Sequence, residues 1–317
     1  DGGTIKLDGN YPTGTDNVAL GDTALDSIAA GGTDNVAIGN HSGTAITTGD
    51  KNTAVGSLSL EANTTASYNT AVGFSSLKTN ITGAGNTGLG YRSLELTTGA
   101  NNTGLGYEAG AANAGGASNT AIGKSALCKN TTGNSNVAVG ISALFANTTA
   151  DNNVAIGQQA LTSNTTGTRN VAVGCGALLS NVNDNDNTGI GFATLVNSSG
   201  QSNTAVGSCA LNTNTTGSCN VAMGRDALLA NAAGSCNSAV GAFALDANTT
   251  AIRNNAFGYN ALTNTTEGNS NNAFGTGALQ LNTTGANNVA MGQNALVANT
   301  TASDNTAVGY LSLTANT

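Results

Sequence analysis

A five-residue motif of polar, apolar and small positions returns along nearly the whole chain. It reads Asn-Thr/Val-Ala-Val/Ile-Gly, and its Asn occurs 18 times from Asn17 to Asn305, usually 17 residues apart. We number the positions of each 17-residue unit from this Asn. In one representative unit, positions one, three, four, five, nine and twelve are occupied by Asn136, Ala138, Val139, Gly140, Leu144 and Asn147. These residues are predicted to form the structural ladder of the fold.

The recurrent positions indicate strands rather than helices. Position three is always Ala or Gly, position four is always apolar, and position five is Gly in every unit. Thr and Val dominate position two, and a Gly interrupts every unit, which argues against a helix between the glycines. Each unit therefore predicts a short strand, a Gly turn, a second short strand and an Asn-Thr-Thr-Gly turn.

Sequence repeats of nearly constant length predict a solenoid, in which the backbone of each unit follows the same path and forms one coil. The expected fold class is all-β: a parallel β-solenoid, or β-roll, of about 18 coils over residues 17–317, preceded by a non-repeat segment at residues 1–16. Coils spaced by about 4.8 Å give a rod of roughly 85 Å, in which stacked Asn side chains hydrogen-bond along the axis. The units of Asn86 and Asn187 are one residue short and that of Asn17 is one residue long. We expect these changes at turns.

The alternation within the motif leaves two orientations open. Positions two and four lie on one face of a strand and position three lies on the other. If position four and the Leu at position nine fill the coil, a row of Ala and Gly faces outward. If the Ala residues at positions three and eight fill a thin coil, the apolar row at position four faces outward, as a longer stripe than monomers tolerate. Either orientation favours self-association.

The motif, followed three residues later by Ala, resembles the head repeats of trimeric autotransporter adhesins, and similar units occur in tail fibres and other surface fibres. The resemblance covers residues 17–317. It implies a left-handed parallel β-roll in which three chains lie side by side, on a cell surface or in a virion fibre. The unit here is longer than the familiar adhesin repeat, because the Asn-Thr-Thr-Gly corner is larger. The sequence predicts no coiled-coil stalk.

The amino-acid composition excludes some classes of function. Asn (47), Thr (46) and Gly (44) make up much of the 317 residues, whereas charged residues are only 8% and the net charge is -8. Nucleic-acid binding needs clustered Lys and Arg, and the nine in this chain are scattered. No run of apolar residues approaches the length of a membrane span. The expected partners therefore exclude nucleic acid and a membrane interior.

Candidate chemistry is sparse. His41 is the only histidine, so a catalytic or metal arrangement built on imidazoles is not expected, and His41 is interpreted as a solvated turn residue. Asp184 and Asp186 lie in the sequence Asn-Asp-Asn-Asp-Asn, where a Ca²⁺ site is conceivable, but a polar corner of a coil is favoured. We predict no catalytic residue, no cofactor and no metal.

Cysteines and glycosylation sequons each have two interpretations. Cys219 and Cys236 share position seventeen in adjacent units. Their Cα atoms are expected about 4.8 Å apart, inside the range of a disulfide, although parallel Cβ vectors favour free thiols.

Nine Asn-Thr-Thr triplets match the glycosylation sequon. Their recurrence at a fixed place in the unit is explained by a turn, so the turn interpretation is favoured over a sugar-coated fibre.

The function predicted from these observations is non-enzymatic. The chain is expected to be an extracellular structural or adhesive fibre subunit, cell-surface, secreted or in a virion, that assembles with itself as a filament or trimer. A surface glycan or a host receptor is a possible further partner. The alternative is an ice- or glycan-binding β-solenoid, because position two is Thr in five successive units from Thr53 to Thr120. Against ice binding, position four on the same face is always apolar.

A possible subunit junction lies before the repeats. Thr4, Ile5, Lys6 and Leu7 alternate like a strand, and the last residues, 315–317, end midway through a coil without a cap. A strand beside an uncapped solenoid end invites strand addition. The sequence therefore predicts end-to-end stacking through Thr4, Ile5, Lys6 and Leu7, with lateral trimerisation as the rival.

Overall fold

The computed structural model describes residues 14–316, which contain strands and turns and no α-helix. Two compact units divide the chain, one ending at Gln158 and the other beginning at Gln159. We call them the N-terminal unit and the C-terminal unit. Each carries nine strands of three residues, one from each occurrence of the motif.

The strands begin at position two of the motif and end at position four. In the N-terminal unit they are β1 (Val18–Leu20), β2 (Val36–Ile38), β3 (Thr53–Val55), β4 (Thr70–Val72), β5 (Thr87–Leu89), β6 (Thr103–Leu105), β7 (Thr120–Ile122), β8 (Val137–Val139) and β9 (Val154–Ile156). In the C-terminal unit they are β10 (Val171–Val173), β11 (Thr188–Ile190), β12 (Thr204–Val206), β13 (Val221–Met223), β14 (Ser238–Val240), β15 (Asn255–Phe257), β16 (Asn272–Phe274), β17 (Val289–Met291) and β18 (Thr306–Val308).

Within each unit, consecutive strands pair in parallel and in the register of the repeat. Val137 lies beside Val154, and Ala138 beside Ala155. The backbone N–H of Val137 donates to the carbonyl of Asn153, and that of Gly140 donates to the carbonyl of Ile122, both at 2.8 Å. The predicted all-β fold, a parallel β-solenoid with coils of about 17 residues, is confirmed. The left hand of the coil stays a prediction.

The second strand predicted in each unit is wrong. Positions six to eleven form turns, because positions seven and nine have positive φ; in one coil these are Ser142 at 55° and Leu144 at 51°. A strand needs negative φ throughout. The turn is still bonded to its neighbours, since the N–H of Ser142 donates to the carbonyl of Lys124 in the preceding coil at 3.0 Å.

The interior of the coil is thin. Ala138, Ala143 and Leu144, at positions three, eight and nine, are all fully buried, whereas Val139 at position four lies on the outer side and is half-buried. Of the two orientations left open, the one that places the Ala rows inside is therefore confirmed for the motif. The Leu row at position nine lies in the same interior. The sequence analysis had placed this row inside only in the other orientation, together with position four.

The changes in unit length fall at the corner between positions twelve and fifteen. In a 17-residue unit the side chain of Asn136 bonds to the carbonyl of the residue 14 places on. In the two short units, Asn86 and Asn187 reach a carbonyl 13 places on. In the long unit, Asn17 reaches one 15 places on. The prediction that these changes lie at turns is confirmed, and the corner keeps its closing bond in all three units.

Gly140 shows why position five accepts only glycine. Its φ is +130°, a conformation that L side chains rarely adopt, and a β-carbon there would lie 2.6 Å from the carbonyl oxygen of Gly157 in the next coil. The obstructing atom belongs to a hydrogen-bonded backbone, which cannot move aside without breaking the pairing between coils.

We expect Gly140→Val to destabilise the N-terminal unit by at least about 3 kcal/mol, through backbone strain and overpacking together. The measurement is thermal unfolding followed by circular dichroism. Gly115→Ala is the matched control, because a β-carbon at Gly115 makes only ordinary contacts, with a methyl group of Thr132 at 3.8 Å and the carbonyl oxygen of Thr131 at 4.0 Å. A melting temperature unchanged by Gly140→Val would contradict the assigned coil packing.

Candidate functional site

The Asn at position one ties its coil to both neighbours and to its own corner, as at Asn136; Asn69 departs from this pattern, because its Nδ2 has no partner. Asn136 receives on its Oδ1 the N–H of Asn153 in the next coil at 3.0 Å. Its Nδ2 donates to the Oδ1 of Asn119 in the preceding coil at 3.2 Å and to the carbonyl of Ala150 at 2.8 Å. The side chain is fully buried. Because a buried amide must be bonded, these contacts account for Asn in every unit.

A second Asn ladder runs along position twelve. The Nδ2 of Asn147 donates to the Oδ1 of Asn130 in the preceding coil at 2.7 Å and to the carbonyl of Ala150 at 3.1 Å. Both Asn ladders therefore meet at the same corner carbonyl. In the short unit of Asn86, Thr97 stands in position twelve, and its buried hydroxyl has no hydrogen-bond partner.

The position-twelve ladder decides between the two interpretations of the sequons. Eight of the nine Asn-Thr-Thr triplets begin at this position, and their Asn side chains are fully buried. The ninth begins at Asn264, at position eleven, which is half-buried. A buried amide that bonds to its neighbours cannot carry a glycan in the folded coil. The eight are Asn63, Asn130, Asn147, Asn164, Asn214, Asn248, Asn282 and Asn299.

A third ladder, at position sixteen, was not predicted. Here a side-chain oxygen of one coil accepts the backbone N–H of the preceding coil: the Oδ1 of Asn134 accepts from Ala117 at 2.9 Å, and the Oγ of Ser235 accepts from Ser218 at 3.1 Å. The same bond is made by Ser, Asn or Asp. Only the side-chain oxygen is shared among these residues, so a search for one repeated residue type misses the position.

The outward strand face consists of the side chains at positions two and four of the strands in each unit. None of these side chains is charged in any of the 18 motifs. Position three is buried in every strand, whereas positions two and four are half-buried or exposed. In the N-terminal unit the face is mainly Thr or Val beside Val, Leu or Ile, and in the C-terminal unit it also carries Phe and Met.

Aromatic rings stack along both units. On the outward strand face of the C-terminal unit, Phe257 and Phe274 stack with ring centroids 4.9 Å apart. In the N-terminal unit, Phe74, Tyr91 and Tyr107 form a second stack at position six, with centroids 5.6 and 5.1 Å apart. Register alone places these rings in contact, because residues of one type at one position lie one coil apart.

Charged residues lie away from the outward strand face. Arg92, at position seven, pairs with Glu95 at 2.6 Å and Glu108 at 3.3 Å. Arg169, at position seventeen, forms a two-pronged pair with Asp186 in the next coil, at 2.6 and 2.8 Å. The hydrogen bond from Arg169 lowers the pKa of Asp186. Arg169 is exposed and Arg92 is half-buried, so the pair of Arg169 with Asp186 contributes little to stability.

The Asn-Asp-Asn-Asp-Asn segment does not bring the carboxylates of Asp184 and Asp186 together around a single metal ion. Asp186 is occupied by Arg169, whereas Asp184, at position fifteen, is buried, and this burial raises the pKa of its carboxyl group. No group of three or more His, Cys, Asp or Glu within residues 14–316 is arranged to hold a metal. His41 lies in a turn, half-buried, with its Nδ1 3.1 Å from the hydroxyl of Thr23.

The cysteine thiols are free, those of Cys219 and Cys236 among them, and both of these residues are exposed. They keep the shared position seventeen, with φ of 58° and 61°. Free thiols were the favoured prediction for this pair, with a disulfide as the alternative, and no disulfide joins them here. Burial raises the pKa of the Cys128 thiol, which keeps it in the unreactive protonated form.

The proposed junction, Thr4, Ile5, Lys6 and Leu7, lies outside the residues that the structure describes, as does most of segment 1–16. Among the described residues, 14–316, no helix has the length and apolar character to cross a membrane.

Comparison with known proteins adds no relative to this picture. The chain matches no model of a known protein family, and no curated protein matches its sequence significantly.

We expect Asn136→Asp to cost about 3 kcal/mol of stability, because a carboxylate would replace the amide donor and face two oxygens, the Oδ1 of Asn119 and the carbonyl of Ala150. Asn152→Asp is the matched control, since Asn152 is exposed at position seventeen. Chemical denaturation at pH 7 measures both variants. Equal midpoints would show that the position-one ladder contributes nothing.

We expect Asp184→Ala to stabilise the C-terminal unit by about 1 kcal/mol at pH 7, in the range of other substitutions toward a consensus residue. Elsewhere position fifteen is Gly or Ala. Because burial raises the pKa of Asp184, its carboxylate destabilises the fold above that pKa, and protonation removes the penalty as the pH falls through it. The gain in melting temperature should therefore shrink on acidification. A gain that is constant from pH 7 to pH 3 would contradict this cause.

Proposed function

We propose that this chain is a non-enzymatic structural or adhesive fibre protein that acts outside the cell and assembles with copies of itself. The observation that carries the proposal is the outward strand face, which presents the same uncharged rows in every coil while three polar ladders hold the coils in register. A stack of equal coils supplies length and a repeated surface rather than a preorganised cleft.

The non-enzymatic part of the proposal is supported by how the coil uses its polar groups. The repeated polar positions carry amides and hydroxyls whose bonds run to the neighbouring coils, as at Asn136, Asn147 and Ser235. These groups are already bonded, and the amides of Asn136 and Asn147 are also fully buried. The titratable side chains that the coils place side by side, such as Arg169 and Asp186, form ion pairs at the surface.

The extracellular part is supported by the density of bonding in the corners. A protease needs an exposed segment that can leave its place, and here the corner carbonyl of Ala150 accepts two side-chain amides. Thr131 adds a side-chain bond to the carbonyl of Thr148 in the next coil at 2.8 Å. The resemblance to adhesin heads and surface fibres points the same way, and a surface glycan or host receptor is the proposed further partner.

Assembly is proposed because monomers rarely expose long apolar stripes. The position-four row is exposed at Leu89 (42%), Leu105 (41%) and Ile156 (40%) in the N-terminal unit. Two arrangements are open to the chain: end-to-end stacking into a filament through Thr4 to Leu7, and lateral association through the strand faces, of which the adhesin-like trimer is one form.

Electron microscopy and sedimentation of the full chain test this proposal. We expect particles larger than one chain, as filaments or as laterally associated rods. Deleting residues 1–10 should shorten or abolish filaments if the junction is terminal, and should leave a lateral assembly intact.

A monomer at every concentration would overturn the assembly part. If that monomer also slowed the growth of ice crystals, the alternative function would replace the proposal. A specific feature favours that alternative: five threonines in register on β3 to β7, at 53, 70, 87, 103 and 120.

A further inference from the structure

The outward strand face of the C-terminal unit carries a patch of large apolar side chains. Exposed fractions are 44% for Met223, 38% for Phe257, 38% for Phe274 and 45% for Met291. Aromatic and Met side chains are those enriched at protein interfaces, and a patch of them is unusual on a free surface. The whole position-four row from β13 to β18 reads Met223, Val240, Phe257, Phe274, Met291 and Val308.

About its centre, the midpoint between β15 and β16, this row has one identical mirrored pair and two mirrored pairs of unequal size. Reading outward, Phe257 mirrors Phe274, Val240 mirrors Met291, and Met223 mirrors Val308. Each outer pair joins a long side chain to a short one. A two-fold interface sets mirrored residues against each other, so Met would fill the space that Val leaves.

The position-two row has an identical pair only at its centre, since its outer mirrored pairs, Val221 with Thr306 and Ser238 with Val289, each set a polar side chain against an apolar one. Asn255 and Asn272 form its centre and bond to each other, Nδ2 to Oδ1, at 2.8 Å. That bond uses the donor of Asn255 and the acceptor of Asn272. A two-fold axis through the centre sets the Oδ1 of Asn255 against the Nδ2 of the partner's Asn272, which pairs an acceptor with a donor.

We propose that a second copy of this chain docks on this face, related by a two-fold axis that runs parallel to the strands between β15 and β16. The two coil stacks then run antiparallel, the Phe257 ring meets the partner's Phe274, and Met223 meets the partner's Val308. This inference rests on the self-association in the proposed function and specifies its surface and symmetry.

The chemistry of the face favours a second copy over other occupants. Positions two and four carry no Lys or Arg that would attract an anionic lipid surface or a polyanion. Only a partner with the same coil spacing can match both rows over six strands. An axis parallel to the coil stack is disfavoured, because it sets position four against position two and buries the amide of Asn255 against the ring of Phe257.

The area of the patch sets how tightly two copies of the chain are expected to bind each other. Six strands at about 4.8 Å, each three residues long, give a footprint of roughly 300 Å² per copy. A standard interface buries about 800 Å² per partner. We therefore expect association that depends on protein concentration, rather than an obligate dimer.

The experiment compares the full chain with Phe257→Ser/Phe274→Ser in sedimentation velocity, from about 10 µM to about 1 mM, with reductant present to prevent intermolecular disulfides. We expect the wild-type chain to dimerise and the double variant to bind at least tenfold more weakly. Phe192→Ser is the control, because Phe192 is 61% exposed and lies at position six, off this face. Circular dichroism checks that all three chains fold alike, since the substituted side chains point outward.

A photo-crosslinking benzophenone amino acid in place of Met223 tests the symmetry. In cross-linked dimers isolated on a denaturing gel, trypsin should release fragment 170–225 joined to fragment 254–317 at Val308, whereas a cross-link within one chain would join the same fragments at the nearby Phe257. The cross-linked residue is identified by mass spectrometry. Within one chain Met223 and Val308 lie five coils apart, about 24 Å, beyond the reach of the probe. Cross-links between two copies of fragment 170–225 would overturn the two-fold arrangement and leave self-association standing. A monomer at every concentration would overturn both.

Discussion

Register between neighbouring coils is the constraint on which the rest of this structure depends. In both units the N–H of position two donates to the carbonyl of position one in the next coil at 2.8 Å. Once that bond is made, every side chain lies over its equivalent, about 4.8 Å away. A slip of one residue would exchange the inward and outward rows of the strand. The Gly at position five follows from this register, because a β-carbon there would meet the equivalent Gly of the next coil. The residue at position three is small because it faces positions eight and nine across the thin interior.

The same register makes Asn more useful than an apolar residue at the corners. A turn cannot pair all of its backbone groups by sheet bonds, and those groups must be satisfied when buried. Asn136 supplies an acceptor to the next coil and donors to its own corner and the preceding coil. The corner can therefore lose or gain a residue, as in the units of Asn86 and Asn17, while the amide still reaches the equivalent carbonyl.

The role of a repeat position can be predicted from the sequence when the residues at that position in different units share a property that the sequence shows. Position one shares a residue type, so the ladder through Asn136 was predictable from spacing alone. Position nine shares Leu, but the pattern does not show that Leu144 adopts a positive φ, because Leu rarely does so; stacking in a fully buried interior outweighs that local cost. Position sixteen shares only an oxygen acceptor, which Asn134 and Ser235 supply equally well. The candidate face was foreseen only as one of two orientations, since alternation separates the faces of a strand without saying which is inside.

Repetition also acts on the outer surface, and this joins the fold to its proposed use. In a globular sheet one apolar outward residue is harmless, but in a coil stack the same choice becomes a row along the unit. A charged residue at position four in a few coils would interrupt that row and prevent edge or face association. This chain places its charges elsewhere: Arg92 and Glu108 at position seven, Arg169 and Asp186 at position seventeen. The charges therefore keep the turns hydrated while positions two and four stay uncharged throughout. A surface that is kept uncharged in every coil, beside positions that accept charge readily, is the arrangement expected of a face that contacts another molecule.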